Sequence, residues 1–480
     1  MSDNIKNTID YKETLLLPKT DLPMRANLSE REPGFLERWE KDNLFSKIRE
    51  SSEGKEKFIL HDGPPYANGN LHMGTALNKI LKDVIVRSKQ LEGFNAEYRP
   101  GWDCHGLPIE WKVEEKFRDE GKNKEEIPIN DFREECRIFA KKWIEIQKKQ
   151  FMRLGVLGNW ANPYTTMEFS SESAIVKEFH KFLMAGDLYR GSKPIMWSVV
   201  EKTALAEAEV EYLEHVSPTI WVNFPIKSDD DDLKGASILI WTTTPWTIPA
   251  NRAIAYSSRF SYGLYEVSSV DDGSLATPGM RIIINSGLLD NVEKASKSNL
   301  SFIKEIHTFD NLVCDHPFKD GGYDFNIPLL EGDFLTDDAG TGFVHIAPSH
   351  GQDDYELAIK NGIKPPFILD DEGVYLENVK LFSGKRVYNS DGSMGDATGS
   401  VISELIKSGN LFAKGKLRHQ YPHSWRSKAP LIFRNTPQWF ISMEENELRS
   451  KSLKAIDEVQ WIPERGKNRI RSMVESRPDW

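Results

Sequence analysis

The chain has 480 residues, 39% of them apolar, and a formal net charge of −11. That length exceeds one ordinary core and predicts two or three folded domains, while the acidic balance excludes the chain-wide basic footprint of many nucleic-acid binders. Cys104, Cys136 and Cys314 are odd in number and widely separated, which argues against a disulfide framework and fits a reducing compartment.

The opening MSDNIKNTIDYKETLLLPKTD mixes acids and bases around Leu15 to Leu17. It reads as neither a signal peptide nor an acid-poor transit sequence, and no apolar run reaches bilayer length; the cytoplasm is the expected location. Next, GFLERWEKDNLFSKI reads as a helix and KFILHDG as a short buried strand ending in glycine. From Ala76, the residues Leu77, Ile80, Leu81, Val84 and Ile85 recur at helical spacing and predict a helix of about four turns with one buried stripe. FNAEYRPGWDCHG is a second extended piece. Strand, loop, helix, strand is the opening of a parallel α/β sheet with a right-handed crossover.

From about Lys122 to Gly191 the pattern is helical, most clearly in FREECRIFAKKWIEIQKKQFMRLG. Beyond Glu211, short β-rich runs (TIWVNFPI, SILIWTTTPW, MRIIIN, FVHIA) alternate with polar turns such as KSDDDDLKG and VDDGSLATPG, predicting an inserted β-rich domain of roughly 200 residues. The chain returns through YPHSWRSKAPLIFRNTPQWFISM to a basic amphipathic end. Basic clusters at Lys141 to Lys149, Arg418 to Lys428 and Arg465 to Arg471 read mainly as solvated helix faces.

The chemistry concentrates in HDGPPYANGNLHMGT, His61 to Thr75. Where a strand meets a helix, backbone amides and the helix dipole attract an anion. His72 adds a charge or a directed hydrogen bond, the Thr75 hydroxyl a second contact, and Pro64 with Pro65 a rigid approach. Taken alone, HMGT is more often a tight turn with a surface histidine. The Walker A pattern is absent, so a P-loop NTPase is not the explanation.

GPPYANG, then HMGT, then GWDCHGLPIE at residues 101–110 together resemble the active-site half of class I aminoacyl-tRNA synthetases, and the isoleucyl branch more than the valyl or leucyl branches. The likeness runs from DYKETLLLPKTDLPMRANLSEREP to QYPHSWRSKAPLIFRNTPQWF. It implies an α/β fold: the first half of a Rossmann-like catalytic domain interrupted by a β-rich editing domain. The implied boundaries are a leader and helix over 1–50, the first catalytic half with a helical connective segment over 51–205, the editing insertion over 206–415, and a return to the catalytic domain over 416–480.

By this resemblance HMGT stands for the family's HIGH tetrapeptide, with Asn68, His72, Gly74 and Thr75 on the ATP side. Thr75 replaces a histidine; it can hydrogen-bond but carries no positive charge. Gly63 and Pro64 fall to the amino-acid pocket and Asp103 to the substrate's α-ammonium, the natural partner of a carboxylate. The implied reaction is attack of isoleucine carboxylate on the α-phosphorus of ATP, which brings Mg²⁺ with it, followed by transfer to tRNA(Ile). Such catalysis is positioning and charge stabilisation and needs no protein nucleophile. A monomer is expected.

Two further motifs, WTTTPWT from Trp241 and GTGFVHIAPSHGQDDYE from Gly340, read singly as strand-forming threonines and a helix-start aspartate. Together they resemble the editing motifs of the isoleucyl, valyl and leucyl enzymes. That likeness implies Asp354 as anchor of a misplaced amino acid's ammonium, with His345, Thr242, Thr243 and Thr244 around the ester, the terminal adenosine and a water. Valine lacks one methylene of isoleucine, worth only about 1–3 kcal/mol in a pocket, and this choice is the standing worked example of that limit. A second, hydrolytic pocket is therefore expected.

Relatives often carry CxxC zinc pairs in the connecting region; here Ser198, Glu201 and Ser424 stand in the matching stretches. Hydroxyls and one carboxylate make a poor tetrahedral zinc site, so no zinc is expected. No KMSKS-like motif follows, and the family pattern continues beyond RPDW, so the chain is expected to be an N-terminal portion. The alternatives to full synthetase activity are an editing deacylase acting alone and a non-catalytic tRNA-binding fragment.

Overall fold

The computed structural model describes residues 11–18, 20–21, 24–228, 230, 232–310 and 312–479, in two compact units, Met1–Ala185 and Gly186–Trp480. In the first, the predicted helix near the start is two: α1 (Leu28–Lys41) and α2 (Leu44–Glu50), separated at Asn43, whose left-handed backbone ends the continuous turn. Asparagine tolerates that conformation better than most residues. Helix α3 spans Met73–Leu91, α4 Leu107–Asp119, α5 Ile129–Arg153 and α6 Phe169–Ala185.

The predicted strand KFILHDG does not form. Ile59 is exposed, and single parallel bridges stand in its place: Lys57 with Asn95 at its first residue, and Tyr66 with Asp103 three residues beyond its last. Pro64 and Pro65 offer no backbone donors, which interrupts any ladder there. The second extended piece reduces to β1 (Gly101–Trp102), paired parallel with β2 (Tyr164–Thr165). The parallel relation of the predicted unit is thus present in fragments. Its core holds Trp102, Phe151 and Trp160 against Ala67 and Ile144, with the Phe151 and Trp160 rings stacked at 5.9 Å.

The stripe on α3 differs from expectation. Leu77, Ile80, Leu81, Val84 and Ile85 are all exposed, whereas Lys79 and Val86 are buried. Periodicity identifies which face of a helix is apolar; it does not supply the neighbour that covers it.

The second unit contains β3 (Leu188–Ser198), β4 (Thr203–Ala204), β5 (Val210–Lys227), β6 (Ala236–Thr242), β7 (Ala253–Tyr256), β8 (Tyr262–Val270), β9 (Arg281–Asn285), β10 (Ser298–Ile306), β11 (Val313–Asp315), β12 (Asn326–Glu331), β13 (Val344–Ile346), β14 (Leu411–Ser424) and β15 (Ile432–Ile441). Among the described residues the large sheet has the order β10-β8-β9-β6-β5-β11-β12-β7-β13, with β14 also on β5. Only β6 with β9 and β12 with β7 are parallel among these pairs. A smaller sheet has the order β15-β3-β4. Inward residues of β5, β6 and β9, such as Ile220, Phe224, Ile238, Ile240 and Ile283, are fully buried and form the core that carries the turn after β6. The β-rich texture beyond Glu211 is this sheet.

All three cysteines are free, and burial pushes Cys104 and Cys136 up to about 11 and Cys314 higher still. These are protonated thiols with little nucleophilic character. No helix among the described residues is long and apolar enough to cross a membrane.

Candidate active sites

Helix α3 starts on an imidazole. The His72 backbone is extended, and its Nδ1 accepts hydrogen bonds from Gly74 N at 3.1 Å and Thr75 N at 3.4 Å. The ring's proton therefore sits on Nε2. A Cβ at Gly74 would lie 3.0 Å from the ring, so glycine leaves room for the cap. The amides expected to cradle an anion are already used by His72, which leaves its Nε2–H and the Thr75 hydroxyl as the outward chemistry.

The two halves of the first motif lie side by side. Asp103 N donates to Pro65 O at 2.9 Å and Ala67 N to Asp103 O at 3.0 Å, while Asn68 Nδ2 reaches Pro108 O at 3.3 Å. The half-buried Asp103 carboxylate is steadied by the Thr166 hydroxyl at 3.3 Å and the His105 amide at 3.4 Å. Gly63 is exposed, with no heavy atom within 4 Å of where a Cβ would stand, and Pro64 is half-buried. Gly106, at φ +82° ahead of α4, adopts a conformation that favours glycine.

Two supports for this loop were not singled out from the sequence. Buried Gln147 on α5 donates to Tyr66 O at 3.0 Å and Gly69 O at 2.7 Å and accepts from Trp102 Nε1 at 2.9 Å. One turn on, Gln150 Oε1 accepts from Leu71 N at 3.0 Å and its Nε2 donates to Asn70 at 2.8 Å. The second support is Asp62, which receives Lys79, Lys82 and the Tyr98 hydroxyl. Burial works against the Asp62 charge, but these three donors outweigh it and hold the carboxyl below its usual range. A lysine among alternating charges gives no sequence signal of burial; only the fold shows that Lys79 is 2% exposed.

The other constellation lies within Gly186–Trp480. Strand β6 ends at Thr242, and Thr242 Oγ1 accepts from Thr244 N at 3.1 Å, folding the threonines into a tight turn. Thr247 follows on a short 3-10 helix, and its hydroxyl donates to Thr244 O at 2.8 Å and lies 3.0 Å from His345 Nε2. Asn251 Nδ2 approaches His345 Nδ1 at 3.4 Å. This order fixes a neutral imidazole with its proton on Nε2, directed at Thr247. Burial pushes His345 down to about 4, consistent with that neutral form. His345 therefore spends both ring nitrogens inside the protein and orders the threonine turn. Thr247 closes the WTTTPWT motif, where the sequence assigns it no role of its own, and Asn251 lies outside every motif; a histidine's partners across the fold leave no local signal.

Thr243 and Thr244 face a narrow cleft shared with Tyr388 and Tyr421. Asp354 lies in the first turn of α7 (Gln352–Lys360), where Oδ2 accepts from Ala347 N at 2.8 Å, two residues after His345. Desolvation pushes its carboxyl up to about 7, partly offset by that amide. It is thus a carboxyl that gains from a cationic ligand.

Among the described residues no group of three or more His, Cys, Asp or Glu side chains is placed to hold a metal ion. The Ser198 hydroxyl is spent on the Glu201 backbone amide, and the Glu201 carboxylate is occupied by Arg426, Ser424 and the Ser427 amide. An arginine beside the single carboxylate does not fit a zinc site.

The mixed α/β architecture with its large sheet is that of a class I synthetase. The family model describing class I tRNA synthetases (I, L, M and V) matches residues 34–480, and the chain belongs to that family. Among curated relatives, the isoleucine–tRNA ligases of Brucella abortus biovar 1 (strain 9-941) and Agrobacterium fabrum (strain C58) are 52% and 53% identical over all of this chain and 52% of their own length. The chain spans about half the length of the curated relatives it matches. Among solved structures, a LeuRS-tRNA-LeuAMS ternary complex from Agrobacterium radiobacter K84 is 16% identical, with a TM-score of 0.33, covering 85% of this chain and 49% of that one.

Proposed function

We propose that this chain supplies one wall of the adenylate-forming site of an isoleucine–tRNA ligase and, separately, a hydrolytic site that clears valyl-tRNA(Ile). The observation that carries the first half is the hydrogen-bonded pairing of Tyr66 with Asp103. It sets the Gly63–Pro64 segment beside Asp103, a carboxylate suited to an α-ammonium, on the same loop that leads into the His72 cap. Isoleucine would lie with its ammonium on Asp103, its carboxylate directed at the ATP α-phosphorus. Nε2–H of His72 and the Thr75 hydroxyl would meet the phosphate oxygens of Mg²⁺–ATP, and the acyl group would pass to tRNA(Ile). Asn68, tied to Pro108, would fix the loop's reach, and Gly74 keeps the cap close. The test is isoleucine-driven ATP–pyrophosphate exchange by the product of the complete reading frame. Asp103→Ala is expected to remove it, and equal exchange by the variant overturns the assignment.

A second reading, that this polypeptide alone acts as a deacylase, is favoured because Thr242, Thr243, Thr244, His345 and Asp354 all belong to one compact unit. On this reading Asp354 takes the ammonium of the misplaced amino acid. The turn from Thr242 to Thr244 holds the ester and a water, and His345 keeps that turn in place through Thr247. Hydrolysis needs no group beyond these and water, since the ester is already activated. The domain limits 206–415 for the editing insertion and 51–205 for the first catalytic half, and a monomeric state, are part of the same proposal.

A further inference from the structure

Two turns in Gly186–Trp480 share one pattern. The first is Ser198-Val199-Val200-Glu201-Lys202 after β3, the second Ser424-Trp425-Arg426-Ser427-Lys428 after β14. In each, the leading serine hydroxyl accepts a following backbone amide: Ser198 Oγ from Glu201 N at 3.1 Å, Ser424 Oγ from Arg426 N at 3.2 Å. In each, the fifth residue is a lysine in the left-handed region, φ +52° for Lys202 and +57° for Lys428. Such residues are uncommon outside glycine, and one stands at the fifth position of both turns, although the serine accepts the third following amide in the first turn and the second in the other.

Paired turns with side-chain ligands at the first and fourth positions are the spacing of a two-knuckle metal site. Here the four positions hold Ser198, Glu201, Ser424 and Ser427, and the turns close on one another without thiolates. The Glu201 side chain is fully buried, and its carboxylate accepts from the Ser424 hydroxyl and from Ser427 N at 3.2 Å. Arg426, its side chain 7% exposed, reaches Glu201 Oε2 at 3.5 Å and also holds Glu209. Trp425 N donates to Glu209 O at 3.0 Å, closing the circuit.

We propose that this is a metal-free knuckle pair, in which the Glu201–Arg426–Glu209 cluster bridges the two turns as a tetrahedral cation bridges them when the four positions are cysteine. Its location gives it a task. Ser424 pairs with Val210 at the root of the β5/β14 ribbon, so the cluster pins the place where the chain leaves the small sheet for the large one and the place where it returns. A carboxylate–guanidinium bridge does this without a metal supply and without oxidisable sulfur.

The experiment has two arms on the intact chain. In the first, unfolding is followed for Glu201→Gln, Arg426→Met and the double variant, with and without chelator. Each single change is expected to lower the folding equilibrium constant at least about tenfold, because it strands a buried charge or polar partner. The double variant should lose less than the two singles combined, and chelator should change none of them. Additive losses, or a wild-type chain destabilised by chelator, overturn the proposal. In the second, S198C/E201C/S424C/S427C is titrated with Co²⁺. A one-to-one complex with the intense absorption of tetrahedral thiolate cobalt is expected; if this variant is folded and cobalt remains octahedral or unbound, the knuckle geometry is wrong. Should the four-cysteine chain not fold, the first arm decides.

Discussion

Thr247 Oγ1 lies 3.0 Å from His345 Nε2, a bond that joins the turn after β6 to strand β13 across 98 residues of sequence. Because Thr247 also donates to Thr244 O, the imidazole proton and the threonine turn form one ordered chain. Thr247→Val removes the acceptor and leaves a buried N–H unpaired. It is expected to cost about 1–3 kcal/mol of stability and to slow hydrolysis of valyl-tRNA(Ile) by roughly tenfold or more, by analogy with other misplaced catalytic groups. Thr247→Ser, which keeps the hydroxyl, should restore most of the rate; deacylation assays beside urea unfolding check both.

Asp354 makes a pH prediction. Its carboxyl is raised from 3.8 to about 7 in the folded chain, so the folded state holds a proton that the unfolded state gives up. Stability is then lost as pH rises from about 4 to 7 and stays low above that range. Asp354→Asn keeps an acceptor for Ala347 N and removes the ionisation. It is expected to gain on the order of 2–4 kcal/mol at pH 8 and nothing at pH 4. Unfolding at both pH values reads the difference. Binding of an ammonium ligand at pH 7 should release protons, seen by calorimetry in buffers of different ionisation heat.

The Asp62 cluster predicts an asymmetry. Lys79→Met leaves Asp62 with Lys82 and Tyr98, and should cost about 1–3 kcal/mol. Asp62→Ala strands a buried ammonium and should cost about 3–5 kcal/mol. Equal losses in chemical denaturation would contradict the arrangement.

Gln147 ties α5 to three partners on the loop and β1. Gln147→Leu fills the volume but unpairs them, with an expected loss of about 3 kcal/mol. Amide exchange across residues 66–71 should quicken by at least about tenfold, while the sheet amides of the second unit stay unchanged.

Much of the candidate site's local geometry is legible because its motifs are local. GPPYANG, HMGT and GWDCHG each carry their geometry within a few residues, and the fold then sets two of them in register through Tyr66 and Asp103. What was not legible is long-range. Gln147 and Asn251 act through partners far away in sequence, and neither composition nor period distinguishes them from solvated polar residues. KFILHDG shows the opposite case: an apolar run has the look of a buried strand, yet Pro64 and Pro65, which directly follow it, cannot donate to a ladder. On α3 the apolar period was right and its burial was not, since a period says nothing about a neighbour. The imidazole cap is a subtler case. A histidine before Met-Gly-Thr suggested a ligand contact, and the structure shows that Nδ1 is first spent on the helix itself.

The most direct test of the account is deacylation by this polypeptide of valyl-tRNA(Ile) and isoleucyl-tRNA(Ile), measured side by side with Asp354→Ala. The valyl ester is expected to be hydrolysed, the isoleucyl ester spared, and the activity lost in the variant. Equal hydrolysis of both esters, or an Asp354→Ala chain as active as its parent, would contradict it.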